Sequence, residues 1–208
     1  MTAPTLTLSP DLIEIVRPVM AIADAVRVVD REARLDIPLR ESAARMRLAA
    51  DSPDITAAVR TMYKRVGIDP TKTRPSSEAL LRRVRRGDEL PRINSAVDII
   101  NWCSFESQLP FGLYDVDRIQ GDVMLRLGAD GEAYAGIRKD EVHVAGRLTL
   151  VDDLGPFGNP TSDSARTMVS TATTRLMVVI FAPASVPSAT VSHVLELTLR
   201  RVREYSTT

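Results

Sequence analysis

The chain has 208 residues, 44% of them apolar and 26% charged, and 27 basic residues balance 27 acidic ones. That length suits one sizeable core, and the zero net charge excludes a binder that is basic overall, so any RNA contact must use a local patch. One Trp, four Phe and four Tyr are too few for a base-stacking platform, while the single cysteine, Cys103, excludes internal disulfides and four-cysteine zinc sites and fits a reducing cytoplasm.

Taken in chain order, Leu6–Leu8 reads as a short strand, and Ser9-Pro10-Asp11 opens a helix with Ser9 as cap. Pro18 interrupts. Val19–Val29 stays open between strand and helix, because its alanines favour one and Val26, Val28 and Val29 the other. Ile37–Ala50 is helical, with Leu39, Ala43, Met46 and Ala50 on one face. Ile55–Val66 is a second helix, ended by Gly67. The polar connector Asp69–Pro75 marks a domain boundary on composition alone. Ser76–Arg86 is a helix capped by Ser76 or Ser77, and Ile93–Ser107 a more buried one. Ile119–Leu127 is a strand, Ala129-Asp130-Gly131 a hairpin turn, and Glu132–Ile137 its partner strand. Arg147–Val151 and Arg175–Ala182 are further strands, and Val186–Tyr205 is an amphipathic helix with Val191, Leu195, Leu199 and Val202 inward. Helices at both ends with strands clustered late imply an α+β fold. Met1–Pro10 lacks the pattern of a signal peptide, and no apolar run approaches the roughly 20 residues that span a bilayer.

The most specific stretch is Arg92–Asp122, with Ile93-Asn94, Val97-Asp98, Asn101, Leu109-Pro110, Tyr114-Asp115, Asp117 and Ile119-x-Gly121-Asp122 in fixed order. It resembles the core of the tRNA-editing module of the phenylalanyl-tRNA synthetase β-subunit, formed from that subunit's third and fourth domains. The resemblance covers about Tyr63–Tyr205. It implies an α+β fold with a mixed, barrel-like sheet core flanked by helices, in one domain spanning 1–208, with residues 1–62 an integrated N-terminal extension. It also implies a strand at Val19–Val29 and an internal loop, not a boundary, at Asp69–Pro75. In the family this module binds the acceptor end of tRNA and hydrolyses the ester of mischarged tyrosine; this chain looks like a free-standing copy. On this resemblance, the 208 residues are expected to hold none of the other synthetase domains and so not to aminoacylate as that enzyme does.

Two positions depart from the family pattern. Gly112 stands where the synthetase members carry a histidine, and Val179 where a glutamate on the late strand recognises the tyrosine hydroxyl. A site that selects a hydroxyl needs a buried partner for it, so an apolar or smaller amino acid fits the changed wall better. Hydrolysis itself needs only a positioned water, backbone donors for the oxyanion and the substrate's own ribose hydroxyl.

Asp98 and Asn101 share a helix face, to line a pocket or to satisfy buried backbone groups. Asp115, Asp117 and Asp122 lack EF-hand spacing and read as turn and strand-entry residues. The polar segment Asp152–Thr174 is long enough to be functional or mobile. By position it resembles the family loop that wraps the amino-acid end of the substrate. The expected pocket is Asn101, Gly112, Gly155, Asn159, Asp163, Ser164, Thr167 and Val179, with the signature helix and the 152–174 segment enclosing one cavity. Arg82, Arg83, Arg85 and Arg86 suit phosphate contacts or form a solvated helix face. His143, placed in a loop, and His193 are too few for a metal site. Cys103 reads as core. No metal or cofactor is expected, nor DNA or a membrane as partner. The readings that remain are a tRNA-binding module acting in trans as an aminoacyl-tRNA deacylase in the cytoplasm, and a non-catalytic amino-acid, small-ligand or interaction module. Oligomeric state stays open.

Overall fold

The computed structural model describes residues 3–49, 53–137 and 139–206. Three sheets carry the fold, and among the described residues none closes into a barrel. The first has the order β1-β4-β7-β8, from Leu6–Leu8, Val123–Leu127, Leu148–Asp152 and Gly155–Gly158. It is mixed, because β1 runs parallel to β4 while the other pairs are antiparallel. The second is antiparallel, β2-β9-β3, from Val16–Ala23, Leu176–Pro183 and Phe111–Asp115. The third is the ribbon of β5 (Ala133–Gly136) and β6 (Lys139–His143).

The central strand β9 is buried at every residue, as its unbroken apolar run requires. Pro18 does not interrupt β2: this is an edge strand, where a missing N–H is tolerated. The strand ends at Ala23, so only the first part of Val19–Val29 is β, and Ala25 turns the chain with φ 54°. The segment before residue 58 is thus woven into two sheets through β1 and β2.

Five helices pack on this framework: α1 (Asp36–Leu48), α2 (Pro53–Arg65), α3 (Ser76–Arg85), α4 (Ser95–Ser107) and α5 (Ser188–Ser206). The α4 helix touches α1, α3, α5 and β3 and is buried on most of its circumference. Its N-cap is Asn94, whose Oδ1 accepts from Val97 N–H at 2.9 Å. Gln108 closes it in the left-handed region before Leu109-Pro110. An ion-pair network ties its start to the N-terminal segment. Arg92 donates to the fully buried Asp98 carboxylate at 2.6 Å and to Glu32 O at 2.9 Å, and pairs with Asp36.

Several expectations change. Residues after Ser9 form only a 3-10 turn, Pro10–Leu12, without a side-chain cap bond. The N-cap of α3 is Pro75; Ser77 instead donates to Gln108 O at 3.1 Å. Ala50 lies outside the described residues. The strand after the Ala129-Asp130-Gly131 turn pairs with β6 and not with β4, whose neighbours are β1 and β7. His143 therefore lies on a strand, exposed, beside Glu141. The Asp152–Thr174 segment is not one open loop: β8 pairs with β7, leaving a tight turn at Asp153-Leu154. Asp115 accepts from Asp117 N–H and Thr173 Oγ1, Asp117 pairs with Arg175, and Asp122 accepts from Thr5 N–H, which is the turn and strand-entry chemistry expected.

Candidate functional site

The signature helix and the 152–174 segment border one open cleft of about 560 Å3. From α4 and its entrance come Asn94, Val97, Ile100, Asn101 and Ser104; β3 contributes Phe111 and Leu113; the far wall is built by residues 159–163 with Ala165, Met168 and Val169. Ser76, at the start of α3, completes one rim, and Gly136-Ile137 another.

The two walls differ in kind. Asn101 lies one turn along α4 from Asp98, but their tasks separate. Asp98 is sealed and accepts from Arg92 and from Ile93 N–H at 2.8 Å. The Asn101 amide faces the cleft and makes no hydrogen bond among the described residues. The opposite wall is a pinned turn. Asn159 Oδ1 accepts from the N–H groups of Thr161 and Ser162 at 2.8 and 2.9 Å, while its Nδ2 donates to Tyr134 Oη at 2.9 Å. Tyr63 Oη donates to Pro160 O at 3.1 Å, and burial pushes its pKa up to about 12. Ile137 N–H donates to Asp163 O, and Ala165 N–H to Ala135 O, which bolts the turn to β5.

Asp163 ends this turn. Part of the residue remains exposed, but its Oδ1 is sealed from solvent without a hydrogen-bond partner. Burial pushes the carboxyl up to about 7, and the neighbouring Tyr114 hydroxyl opposes this only in part. Tyr114 Oη is itself buried and unpartnered. The groups influence each other's proton affinity without meeting in hydrogen-bond geometry. The Tyr114 ring stands edge-on to Phe157, centroids 5.1 Å apart, and lies against Gly112 and Gly158.

This packing places the remaining expected residues. Side chains alternate along a strand, so Phe111 and Leu113 face the cleft while Gly112 lies on the side of Tyr114. A Cβ on Gly112 would stand 2.2 Å from Tyr114 Oη; this is a position where the buried ring leaves no room for a side chain. Val179 is the register partner of Gly112 and is fully buried, so it too lies outside the cleft lining. Gly155, with φ 104°, closes the β7–β8 turn. Ser164 and Thr167 are buried and bonded to each other, and Thr167 O accepts from Asp115 N–H, which anchors the segment to β3. Of the expected pocket, Asn101, Asn159 and Asp163 come together. Phe111, Leu113 and Asn94 were missed; reading Phe111–Asp115 as a strand would have found the first two.

Residues 58–201 match the model of the B3/4 domain family. The chain belongs to that family. The chain is 30% identical over 90 residues to the phenylalanine–tRNA ligase beta subunit of Paramagnetospirillum magneticum, covering 37% of this chain and 11% of the relative. It is 29% identical over 108 residues to the same subunit of Brucella abortus, covering 51% and 13%. The chain thus spans only 11–13% of the length of these curated relatives. A crystal structure of an N-terminal fragment of the phenylalanyl-tRNA synthetase beta-subunit from Pyrococcus horikoshii shares the fold, with a TM-score of 0.53 at 12% identity, over 99% of this chain and 50% of that one.

Elsewhere on this B3/4 domain, Arg82, Arg85 and Arg86 line a groove between α3 and α2 together with Arg60. Arg60 is held by Glu78 at 2.7 Å, Arg86 pairs with Asp88, and Arg83 donates to Glu89 O at 2.6 Å. Arg82 has no partner among the described residues. Cys103 is buried, its thiol pushed up by burial against a smaller opposing effect of Arg201. Among the described residues no group of three or more His, Cys, Asp or Glu is placed to hold a metal, and no helix is long and apolar enough to cross a membrane.

Proposed function

We propose that this B3/4 domain binds the aminoacylated 3′ end of a tRNA in the α4/159–169 cleft and hydrolyses the ester in trans, as an aminoacyl-tRNA deacylase of the cytoplasm. The observation that carries the reading is the cleft itself, an apolar-walled pocket with a few polar groups between α4 and the 159–169 segment, inside the region that matches the B3/4 family. Family membership and the named relatives support a tRNA context.

The lining fits an aminoacyl group. Val97, Ile100, Phe111, Leu113, Met168 and Val169 form an apolar surface for a side chain, and Asn101, Ser104 and Thr161 offer polar groups at its margin. These groups position a water and an ester; the vicinal ribose hydroxyl and pre-aimed dipoles then supply the remaining stabilisation. The wall favours an apolar amino acid. Ser76 on the rim begins α3, and the arginines lie up to roughly 14 Å along that helix, so Arg82, Arg83, Arg85 and Arg86 are assigned to phosphates of the acceptor stem.

The test is incubation of the protein with a panel of tRNAs bearing matched and mismatched amino acids, scored for ester loss. Deacylation faster than buffer for an apolar aminoacyl group is expected. No deacylation of any member, together with no tRNA binding at low salt, overturns the proposal; thermal stabilisation by a free amino acid alone would favour the non-catalytic binding module.

A further inference from the structure

Asp163 is the one ionisable side chain among the described residues that line the cleft; no Lys, Arg or His joins it there. Its Oδ1 is sealed and has no partner, the part of the residue that stays exposed lines the cleft, and no described cation pairs with the carboxyl. A buried carboxyl is normally paired with a cation or fully hydrogen-bonded, because an isolated buried charge is costly. Here the obvious polar neighbour, Tyr114 Oη, does not meet it in hydrogen-bond geometry. The carboxyl is nevertheless held firmly. Asn159, locked by Tyr134 and by two backbone N–H groups, sets the turn, and the bond from Ile137 N–H fixes Asp163's own backbone.

Such a group is preorganised for a counter-charge that the protein does not supply. The rest of the cleft limits what can bring it. The apolar wall of Ile100, Phe111, Leu113 and Val169 takes a hydrocarbon substituent, and the free amide of Asn101 takes one further polar group. A phosphate or carboxylate would meet like charge at Asp163. The complementary ligand is a primary ammonium with an apolar group and a carbonyl close by, which is the chemistry of an α-aminoacyl group.

We infer that Asp163 receives the α-ammonium of the bound aminoacyl group, so that the site accepts acyl groups with a free amine and rejects N-acylated ones. The inference rests on the reading of the cleft as an aminoacyl site, and it adds the basis of selectivity: an unacylated amine is required as well as an apolar side chain. N-acetylation removes the charge and adds bulk at the carboxyl. Loss of a charge-assisted contact of this kind weakens binding by at least about 10-fold.

The test has two arms. In the first, calorimetry measures binding of leucinamide and N-acetyl-leucinamide to the wild type, Asp163→Asn and Asp163→Glu. Leucinamide should bind the wild type at least about 10-fold more tightly than its acetylated form; Asp163→Asn should erase that preference and Asp163→Glu keep part of it. In the second, leucyl-tRNA and N-acetyl-leucyl-tRNA are compared as substrates of the wild type. Equal binding of the two amides, or a preference that survives in a folded Asp163→Asn, overturns the inference. Hydrolysis of both esters at equal rates overturns it while leaving the deacylase reading intact. Hydrolysis of neither counts against the deacylase reading, and the amide arm still decides the role of Asp163. Should Asp163→Asn fail to fold, the wild-type comparison alone decides.

Discussion

Substitution of Gly112 by alanine tests the packing that separates the two faces of β3. A Cβ there would stand 2.2 Å from Tyr114 Oη and 2.7 Å from Cε2 and Cζ. Carbon contacts are optimal at about 3.5–4.0 Å, so the ring would have to retreat by roughly 1 Å. It has nowhere to go: Tyr114 is fully buried, Gly158 lies close against it and the Phe157 ring abuts it. Overpacking of this kind costs about 1–3 kcal/mol. With a rigid, fully buried ring as the obstacle, we expect the upper end, about 3 kcal/mol. For a domain of this size that lowers Tm by roughly 6–12 °C. The assay is urea unfolding of a double-mutant cycle with Tyr114. Over Tyr114→Phe the cost should persist, since ring carbons still stand too close; over Tyr114→Ala it should largely vanish, giving a coupling of at least about 1 kcal/mol. Gly112→His should be at least as damaging as alanine and should not create a catalytic group. A Gly112→Ala protein as stable as the wild type, or a cost undiminished over Tyr114→Ala, would refute the reasoning.

Three further outcomes follow from the geometry. The folded-state pKa of Asp163, near 7, lies above the ordinary carboxylate value, so the folded chain holds that proton more tightly than the unfolded one. Its stabilising contribution is present below the unfolded value and lost as pH rises through about 7, so Asp163→Asn should gain on the order of 2 kcal/mol over the wild type between pH 5 and pH 8, measured by urea unfolding. Asp98→Ala leaves Ile93 N–H without its acceptor and takes from Arg92 its buried carboxylate, leaving it Asp36 and Glu32 O, and should cost about 3 kcal/mol, the lower end for a broken buried pair; a loss under 1 kcal/mol would mean the network is incidental. Arg82→Ala with Arg86→Ala should weaken tRNA binding across all sequences and lower its salt dependence, by a slope of about 1 per lost phosphate contact; an unchanged slope would remove these residues from the RNA interface.

Much of the fold was legible because its elements announce themselves locally. The α4 helix carries its Asn94 cap, and the Leu109-Pro110 that ends it, within a short span, and the continuous apolar run of β9 fits only a strand buried on both faces. What escaped the sequence was pairing. Ala129-Asp130-Gly131 is good turn chemistry, yet the strand after it turns away from β4 to pair with β6, because β4 is already flanked by β1 and β7. A local turn signal cannot report which edges distant strands have already occupied. Pro18 misled for a related reason, since its tolerance depends on β2 being an edge, a property of the assembled sheet.

The site divides along the same line. Asn101 was legible because a helix period alone puts it on one face of α4, and only burial distinguishes it from Asp98. Gly112 could be placed only from strand register: a single residue moves a side chain from the cleft to the ring behind it. Asp163 is the extreme case. In the sequence it is one polar residue in a Ser- and Thr-rich stretch. Its character comes from Tyr114 on another strand, a ring that fits only where Gly112 and Gly158 leave space, and from a turn fixed by Tyr63 and Tyr134. Gly112 is therefore coupled to the carboxyl through the Tyr114 ring. A side chain at Gly112 would displace the ring behind Asp163, so the surroundings of the carboxyl depend on a glycine that does not itself line the cleft.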